Sequence, residues 1–331
     1  MATSVPKILI IRFSSIGDIV LTTPVIRCLQ QQLGAEVHFL TKASFAGVLK
    51  ANPYLHKIWT IQKKVSEVLP ELKAQQFSAI IDLHNNLRSR RLRFGLLGVR
   101  TYTFNKLNWQ KWLLTRWKIN WMPDLHIVDR YLLAAAPLGI INDNNGLDHF
   151  IPAEDVVTPA LLGIATPFIA LVIGAAHATK RLPMEKLREL CVTLPVPVVL
   201  LGGPDDKDVG EKIAHGLDHV HNSCGALRLH QSADVLRQAE VVITHDTGLM
   251  HMAAALRKPI LSLWGNTVPA FGMYPYLPGQ QTLNTSFEVP DLGCRPCSKI
   301  GYPHCPKGHF KCMLQQDIEA IAQEAVKKMA N

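Results

Sequence analysis

The chain has 331 residues, 48% of them hydrophobic, and a formal net charge of +9 from 35 Lys and Arg against 26 Asp and Glu. That length suffices for two domains with a core each, and the composition excludes a low-complexity or disordered chain. No apolar run approaches the ~20 residues needed to cross a bilayer. The cationic surplus favours an anionic partner such as nucleic acid, acidic lipid or a phosphorylated glycan.

In chain order, Lys7–Phe13 (KILIIRF) reads as a buried first strand. Arg12, Ser14, Ser15 and Asp18 break the apolar run at once, so the N-terminus reads as strand and loop rather than signal peptide, and the protein is expected to be cytoplasmic. Gly17 permits a tight turn, and Asp18 sits at or near the start of the helix that runs to Gly34. There a carboxylate serves equally as a helix cap or as a general base toward a hydroxyl. Further strands are expected at Glu36–Thr41, Lys57–Ile61 and Phe77–His84, with helical segments at Phe45–Pro53 and from Val65 between them. Strands separated by helices argue for a parallel, doubly wound sheet.

Residues 85–123 differ in character, with nine basic residues, no Asp or Glu, and four of the six tryptophans. Around Ile151–Pro167 the chain turns rich in Pro and Ala (Pro152, Pro159, Pro167), as an interdomain linker would, giving expected domains 1–155 and 156–331.

The alternation restarts with the strand Phe168–Gly174. Its loop of small residues ends in Thr179-Lys180-Arg181, able to hold a phosphate by backbone, hydroxyl and ammonium, or simply to be a solvated basic loop. The Walker spacing is absent. A helix, Met184–Thr193, and a strand, Pro197–Gly203, lead to Gly202-Gly203-Pro204-Asp205-Asp206. That cluster suits close approach to a nucleotide with a carboxylate on ribose, although alone it also reads as a plain turn. Two helices, Asp206–Gly216 and one around Ser232–Gln238, precede Val241–Trp264, a strand, tight turn, helix and strand. Here Asp246 or Thr247 caps the helix, Gly248 lets backbone approach closely, and the positive helix end suits phosphate. His251, one turn after Thr247, can face the same ligand, or be a surface histidine beside an ordinary cap. A last amphipathic helix, 314–329, is able to pack back on the N-terminal domain.

Ligands of such sheets bind beyond the carboxyl ends of the strands. One acidic loop in the first domain and three phosphate- and sugar-friendly loops in the second therefore fit a nucleotide-sugar transferase with its donor mostly on the C-terminal domain. Of seven cysteines, Cys28, Cys191 and Cys224 read as small buried side chains. Cys294, Cys297, Cys305 and Cys312 are spaced C-x2-C-x7-C-x6-C, with His304 and His309 among them, which suits structural zinc or packed free thiols.

KILIIRFSSIGDIVLTTP, ATKRLP, THDTGLMHMAAAL with PILSLWG, and the tail CRPCSKIGYPHCPKGHFKCM together resemble glycosyltransferase family 9 over nearly the whole length. This group contains the ADP-heptose:lipopolysaccharide heptosyltransferases. The resemblance implies an α/β protein of GT-B architecture, two Rossmann-like doubly wound domains facing across a cleft. It implies an inverting transfer of heptose from ADP-heptose to the Kdo/heptose inner core of lipopolysaccharide, with no metal and no cofactor. Asp18 matches the family's proposed general base, and Lys180 the lysine on the donor diphosphate, with Thr179 placed to assist it. Asp246, Thr247, Gly248 and His251 match the motif that holds diphosphate and donor sugar, and Asp206 an acidic residue near the ribose. The acceptor implied is an anionic lipid-linked glycan of Kdo-lipid A type, for which residues 85–123 supply arginines and interfacial tryptophans. Peripheral contact with the cytoplasmic face of the inner membrane is then expected, and no nucleic acid partner. Two departures stand out: a short loop before Lys180, and Gly265-Asn266-Thr267 where Gly-Pro-Thr is common. A sugar-nucleotide epimerase of similar architecture and a non-catalytic anionic-glycan binder are the alternatives, and loss of turnover in Asp18→Ala distinguishes a transferase from a binder.

Overall fold

The computed structural model describes residues 5–158, 160, 163–164 and 166–330. Pro159 of the expected linker lies outside them. Apolar runs become buried parallel strands, as two-sided burial demands. The first sheet is formed by β1 (Lys7–Ile11), β2 (Glu36–Lys42), β3 (Lys57–Ile61), β4 (Ala79–Asp82) and β5 (Arg100–Thr103), in the order β3-β2-β1-β4-β5. All four pairings are parallel, with Ile10 opposite Phe39 on one side of β1 and Ile11 opposite Asp82 on the other.

The second sheet comprises β6 (Ile169–Val172), β7 (Val198–Leu201), β8 (Val220–Asn222), β9 (Val241–His245), β10 (Ile260–Trp264) and β11 (Asn284–Glu288). Its order is β11-β10-β9-β6-β7-β8, again all parallel. In each sheet the first strand of the unit lies in the middle and the chain winds outward first one way, then the other. The order reverses between β1 and β4 in one sheet, and between β6 and β9 in the other. Crevices at such switch points, beyond the carboxyl ends, are where these sheets take ligands.

Two compact units result, each with its own apolar core. The first comprises the chain up to Lys106 together with Leu125–Phe150. In it, buried Arg27 of the helix Thr23–Leu33 binds the carboxylates of Asp143 (2.7 Å) and Asp148 and the carbonyl of Gly146, which fixes the end of the unit to its first long helix. The second unit comprises Leu107–Asp124 and the chain from Ile151 onward. Thus the expected division near residue 155 misses one crossing. The helix Asn108–Trp117 buries Leu113 and Leu114, and the Lys118 ammonium at its end donates to the carbonyls of Cys294 (3.1 Å) and Pro296 (2.7 Å). Those contacts hold the tryptophan segment to the second unit. The closing helix Ile318–Met329 sends Ile318, Ile321, Ala322 and Ala325 into the second unit's own core beside Leu187 and Leu190. Among the described residues no helix is long and apolar enough to cross a membrane.

Candidate functional site

The chain leaves β1 through Arg12 and Phe13 and turns at Ser14-Ser15 into the short helix Ile16–Val20, which carries Asp18. Arg12 is only 8% exposed, and each of its three guanidinium nitrogens has a partner. It donates to Ser14 O (2.8 Å), Leu83 O (2.6 Å) and the Tyr131 hydroxyl (3.0 Å), and it pairs with Asp18 Oδ1 at 2.6 Å. The other Asp18 oxygen accepts from the backbone N–H (3.1 Å) and hydroxyl (2.8 Å) of Ser15. Burial opposes ionisation of Asp18, but Arg12 and the Ser15 donors outweigh it and hold the carboxyl below its usual range. Arg12 has no role in the sequence reading. Its partners Leu83 and Tyr131 lie 71 and 119 residues away, too far for any local signal.

Beside this loop, His84 sits edge-on to Phe13 with ring centroids 5.1 Å apart. Burial, then Arg12, pushes its pKa down to about 3, so the ring is neutral at pH 7. The Arg88 guanidinium lies 5.6 Å over the other partner of that contact, the Phe13 ring. Arg88 also borders a cavity of about 660 Å³ at the carboxyl ends of β3 and β4, lined by Lys63, Lys64, Arg88 and Arg91 with Ser66 and Asn86. Glu67 shapes its rim by accepting from the N–H groups of Gln62 (2.6 Å), Lys63 (3.0 Å) and Lys64 (2.6 Å). Asn86 and Ser89 cap the helix Leu87–Gly95 reciprocally, which orients its arginines. Four cations around one cavity give it the charge to attract an anion.

In the second unit the loops after β6 and β9 meet. The Lys180 ammonium donates to Asp246 Oδ2 at 2.6 Å, and the same oxygen accepts from the Thr267 hydroxyl at 3.0 Å. These side chains are 15% and 12% exposed for Lys180 and Asp246, so the pair sits at a partly desolvated surface where charge acts strongly. Two backbones approach closely to build it. A Cβ on Gly265 would come within 2.6 Å of Thr179 O, and the Asn266 N–H donates to that oxygen at 3.3 Å. A Cβ on Gly174 would meet Asp206 Oδ2 at 2.3 Å, so only glycine lets the β6 loop pass over that carboxylate. His245, the last residue of β9, is fully buried and accepts the Leu182 N–H on Nε2 at 3.0 Å. Burial pushes its pKa down to about 3, which keeps Nε2 an acceptor and ties β9 to the segment following Lys180.

Several expected ligand contacts have other partners. Thr179 is 2% exposed, and its hydroxyl bonds the Tyr302 backbone, accepting from N (2.8 Å) and donating to O (3.1 Å). It anchors the loop beneath Lys180 instead of reaching outward. Asp206 is buried too, with Oδ2 accepting from the Gly203 N–H (2.9 Å) and Oδ1 paired with Arg181 (2.9 Å). That carboxylate organises the two glycine turns rather than standing free for a ribose. Thr247 caps the helix Gly248–Ala255 by accepting from Met250 N at 3.4 Å. His251 is 2% exposed and belongs to the interior side of that helix, not the surface.

Metal-ligating groups converge at one place among the described residues. Glu36, His38 and His56 bring their ligand atoms within 4.8 Å of one another, and the cysteine run does not. However, His38 Nδ1 accepts the Trp59 indole N–H at 3.0 Å, so the neutral ring carries its proton on Nε2, the nitrogen turned toward Glu36. A metal would need that nitrogen bare, with a donor proton on the other. In the cysteine run, Cys294 Sγ lies 3.8 Å from His309 Nε2, and the Cys297 thiol donates to Cys294 O at 3.1 Å. Burial pushes Cys297 and Cys312 up to about 11, so both are thiols at neutral pH.

The sequence profile of glycosyltransferase family 9 (heptosyltransferase) matches residues 65–302. This chain belongs to glycosyltransferase family 9. It is 36% identical over 154 residues to lipooligosaccharide heptosyltransferase 2 of Haemophilus influenzae, a stretch covering 44% of this chain and 44% of that protein. It is 26% identical over 296 residues to lipopolysaccharide heptosyltransferase 1 of Escherichia coli K12, covering 80% of this chain and 89% of that one. The solved structure of E. coli ADP-heptose LPS heptosyltransferase II superposes with a TM-score of 0.73 at 19% identity, over 98% of both chains. That likeness is one of fold, and the two parallel-sheet α/β units are those of the GT-B architecture.

Proposed function

We propose that this family 9 protein is an inverting glycosyltransferase that moves heptose from ADP-heptose to the Kdo/heptose inner core of lipopolysaccharide. The observation that carries the reading is the placement of charge at the two switch points. A carboxylate kept ionised follows β1, and an ammonium with its own carboxylate joins the loops after β6 and β9. The relatives named as heptosyltransferases support the choice of donor and acceptor.

In this reaction Asp18 accepts the proton of the acceptor hydroxyl as that oxygen bonds the anomeric carbon from the face opposite ADP. The bond from that carbon to the diphosphate breaks, and ADP leaves with the electron pair. Lys180 exchanges Asp246 for the diphosphate and stabilises the charge that grows there, a task for which a metal ion is not required. Asp246, Thr247 and Gly248 border the donor, while Thr179, Asp206 and His251 support it from beneath. The cavity of Lys63, Lys64, Arg88 and Arg91 receives the carboxylates and phosphates of a Kdo-lipid A type acceptor, in the same unit as Asp18. The enzyme then works at the cytoplasmic face of the inner membrane, where such an acceptor is displayed.

Incubation with ADP-heptose and a panel of truncated core acceptors, read by product mass, tests the reading. ADP release only with a Kdo-bearing acceptor is expected. Asp18→Ala should retain ADP binding and lose transfer by at least about 100-fold. Transfer by that variant at the parent rate would overturn the mechanism, and turnover of the donor without any acceptor would point to an epimerase.

A further inference from the structure

Four tryptophans of the segment Leu107–Asp124 take no part in either core. The helix Asn108–Trp117 fixes itself by Leu113 and Leu114 and leaves Trp109 61%, Trp112 45% and Trp117 61% exposed. Ile119 and Trp121 beyond it are 45% and 66% exposed. Solvent contact for so much apolar surface is unfavourable, and exposed aromatic residues concentrated in one short segment mark a contact face. Trp109 and Trp112 stack at 5.0 Å and 19°, so they form one slab. Lys118, bonded to the carbonyls of Thr115, Cys294 and Pro296, holds the end of the helix in place.

Charge identifies the partner. Lys111, Arg116 and Lys118 are interleaved with the indoles, and no acidic residue occurs between Asp82 and Asp124. We infer that this segment is a docking surface for an anionic lipid bilayer, with the indoles at headgroup depth and the exposed Arg116 on acidic headgroups. A ten-residue helix is too short to span a bilayer and lies along it. Trp109 and Trp112 cover one face of each other, which halves the aromatic surface that this pair could offer to bases. The inference rests on the lipid-linked acceptor of the proposed function for its purpose, but its physical basis is independent of the transfer chemistry.

The test uses the full chain with vesicles of phosphatidylcholine alone or mixed with phosphatidylglycerol, without donor or acceptor. Binding to the anionic vesicles only, weakened by 0.5 M salt, is expected. Arg116→Ser should weaken it about 5-fold. Replacing Trp109, Trp112, Trp117 and Trp121 by Ser should weaken it at least about 10-fold while ADP affinity stays at the parent value. Should that variant not fold, bromolipid quenching of the parent's fluorescence decides, because Trp59 and Trp264 are buried and only these four indoles can be reached. Absence of quenching, equal binding to neutral vesicles, or displacement of vesicles by a single-stranded oligonucleotide would overturn the inference. Transfer to a water-soluble, deacylated acceptor without vesicle binding would sink this surface alone; vesicle binding without any transfer would sink the proposed reaction alone.

Discussion

Asp18 is held ionised by Arg12, and an ionised, well-solvated-by-protein carboxylate is a weak base. It suits a reaction in which the hydroxyl becomes acidic only as its oxygen bonds the anomeric carbon. The sign of the pH effect follows. With the folded value below the ordinary carboxylate value, the base form and the stability of the pair are present above about pH 4 and are lost as pH falls through the lower folded value. Arg12→Gln removes the opposing charge and leaves burial, which raises the carboxyl value. We expect kcat/KM of the parent to be flat from pH 5 to 8, and that of the variant to fall from pH 8 toward 5. A variant as flat as the parent would show that Arg12 does not set the ionisation of Asp18. On the proposed reaction, Lys180→Ala should lower kcat about 100- to 1,000-fold, with a smaller effect on ADP affinity, because there the ammonium would meet the growing charge on the leaving group. Isothermal titration with ADP beside single-turnover rates separates the two effects, and equal losses in both would assign Lys180 to ground-state binding.

At the scale of elements, the site depends on loops pressed together by glycine. Gly174→Ala places a methyl group 2.3 Å from Asp206 Oδ2, so the β6 loop or the Gly202-Gly203 turn has to move. Overpacking of this kind costs about 1–3 kcal/mol, and the shift should also reduce ADP affinity. Thermal unfolding and ADP titration of the variant check both, and a variant with parental stability would mean that the loop has room the geometry denies. The same elements show what could be read beforehand. β1, β6 and β9 are near-continuous apolar runs, and the polar clusters at their ends identified Asp18, Lys180 and Asp246 as the charged residues at the switch points. The edge strands β5, β8 and β11 were not legible. Sequences such as RTYT and NTSFE are half-exposed and lack an apolar pattern, and only pairing to β4 and β10 makes them strands. Side-chain direction was equally hidden. His251 and Thr179 follow the strand ends as expected, but both side chains are buried, and nothing local distinguishes a buried from an outward-facing side chain there.

The whole molecule carries histidines that the fold keeps neutral. His38 and His245 are buried, with pKa values pushed down to about 4 and about 3, chiefly by burial. Below the unfolded value of about 6.5 the unfolded chain takes up protons that the folded chain refuses, so stability is full above that pH and declines as pH falls toward the folded values. At pH 5 each contributes about 2 kcal/mol of this loss, an order-of-magnitude figure. Unfolding temperature should therefore be level above pH 7 and drop steeply between pH 6.5 and 4.5. A curve level down to pH 5 would contradict the neutral assignment of both rings.

The excursion of Leu107–Asp124 has a practical meaning for anyone dividing the protein. Two bodies in space are four pieces in sequence: up to Lys106, Leu107–Asp124, Leu125–Phe150, and the remainder. A cut after Phe150 would leave the first half with a tryptophan-bearing helix whose anchoring carbonyls, at Cys294 and Pro296, are on the other fragment. Such a half would bear a sticky orphan, and the other half would lack a piece of its own wall. Reassembly from two expressed fragments would first have to restore that helix to its place, so the two units of this GT-B protein are not separable by a single scission.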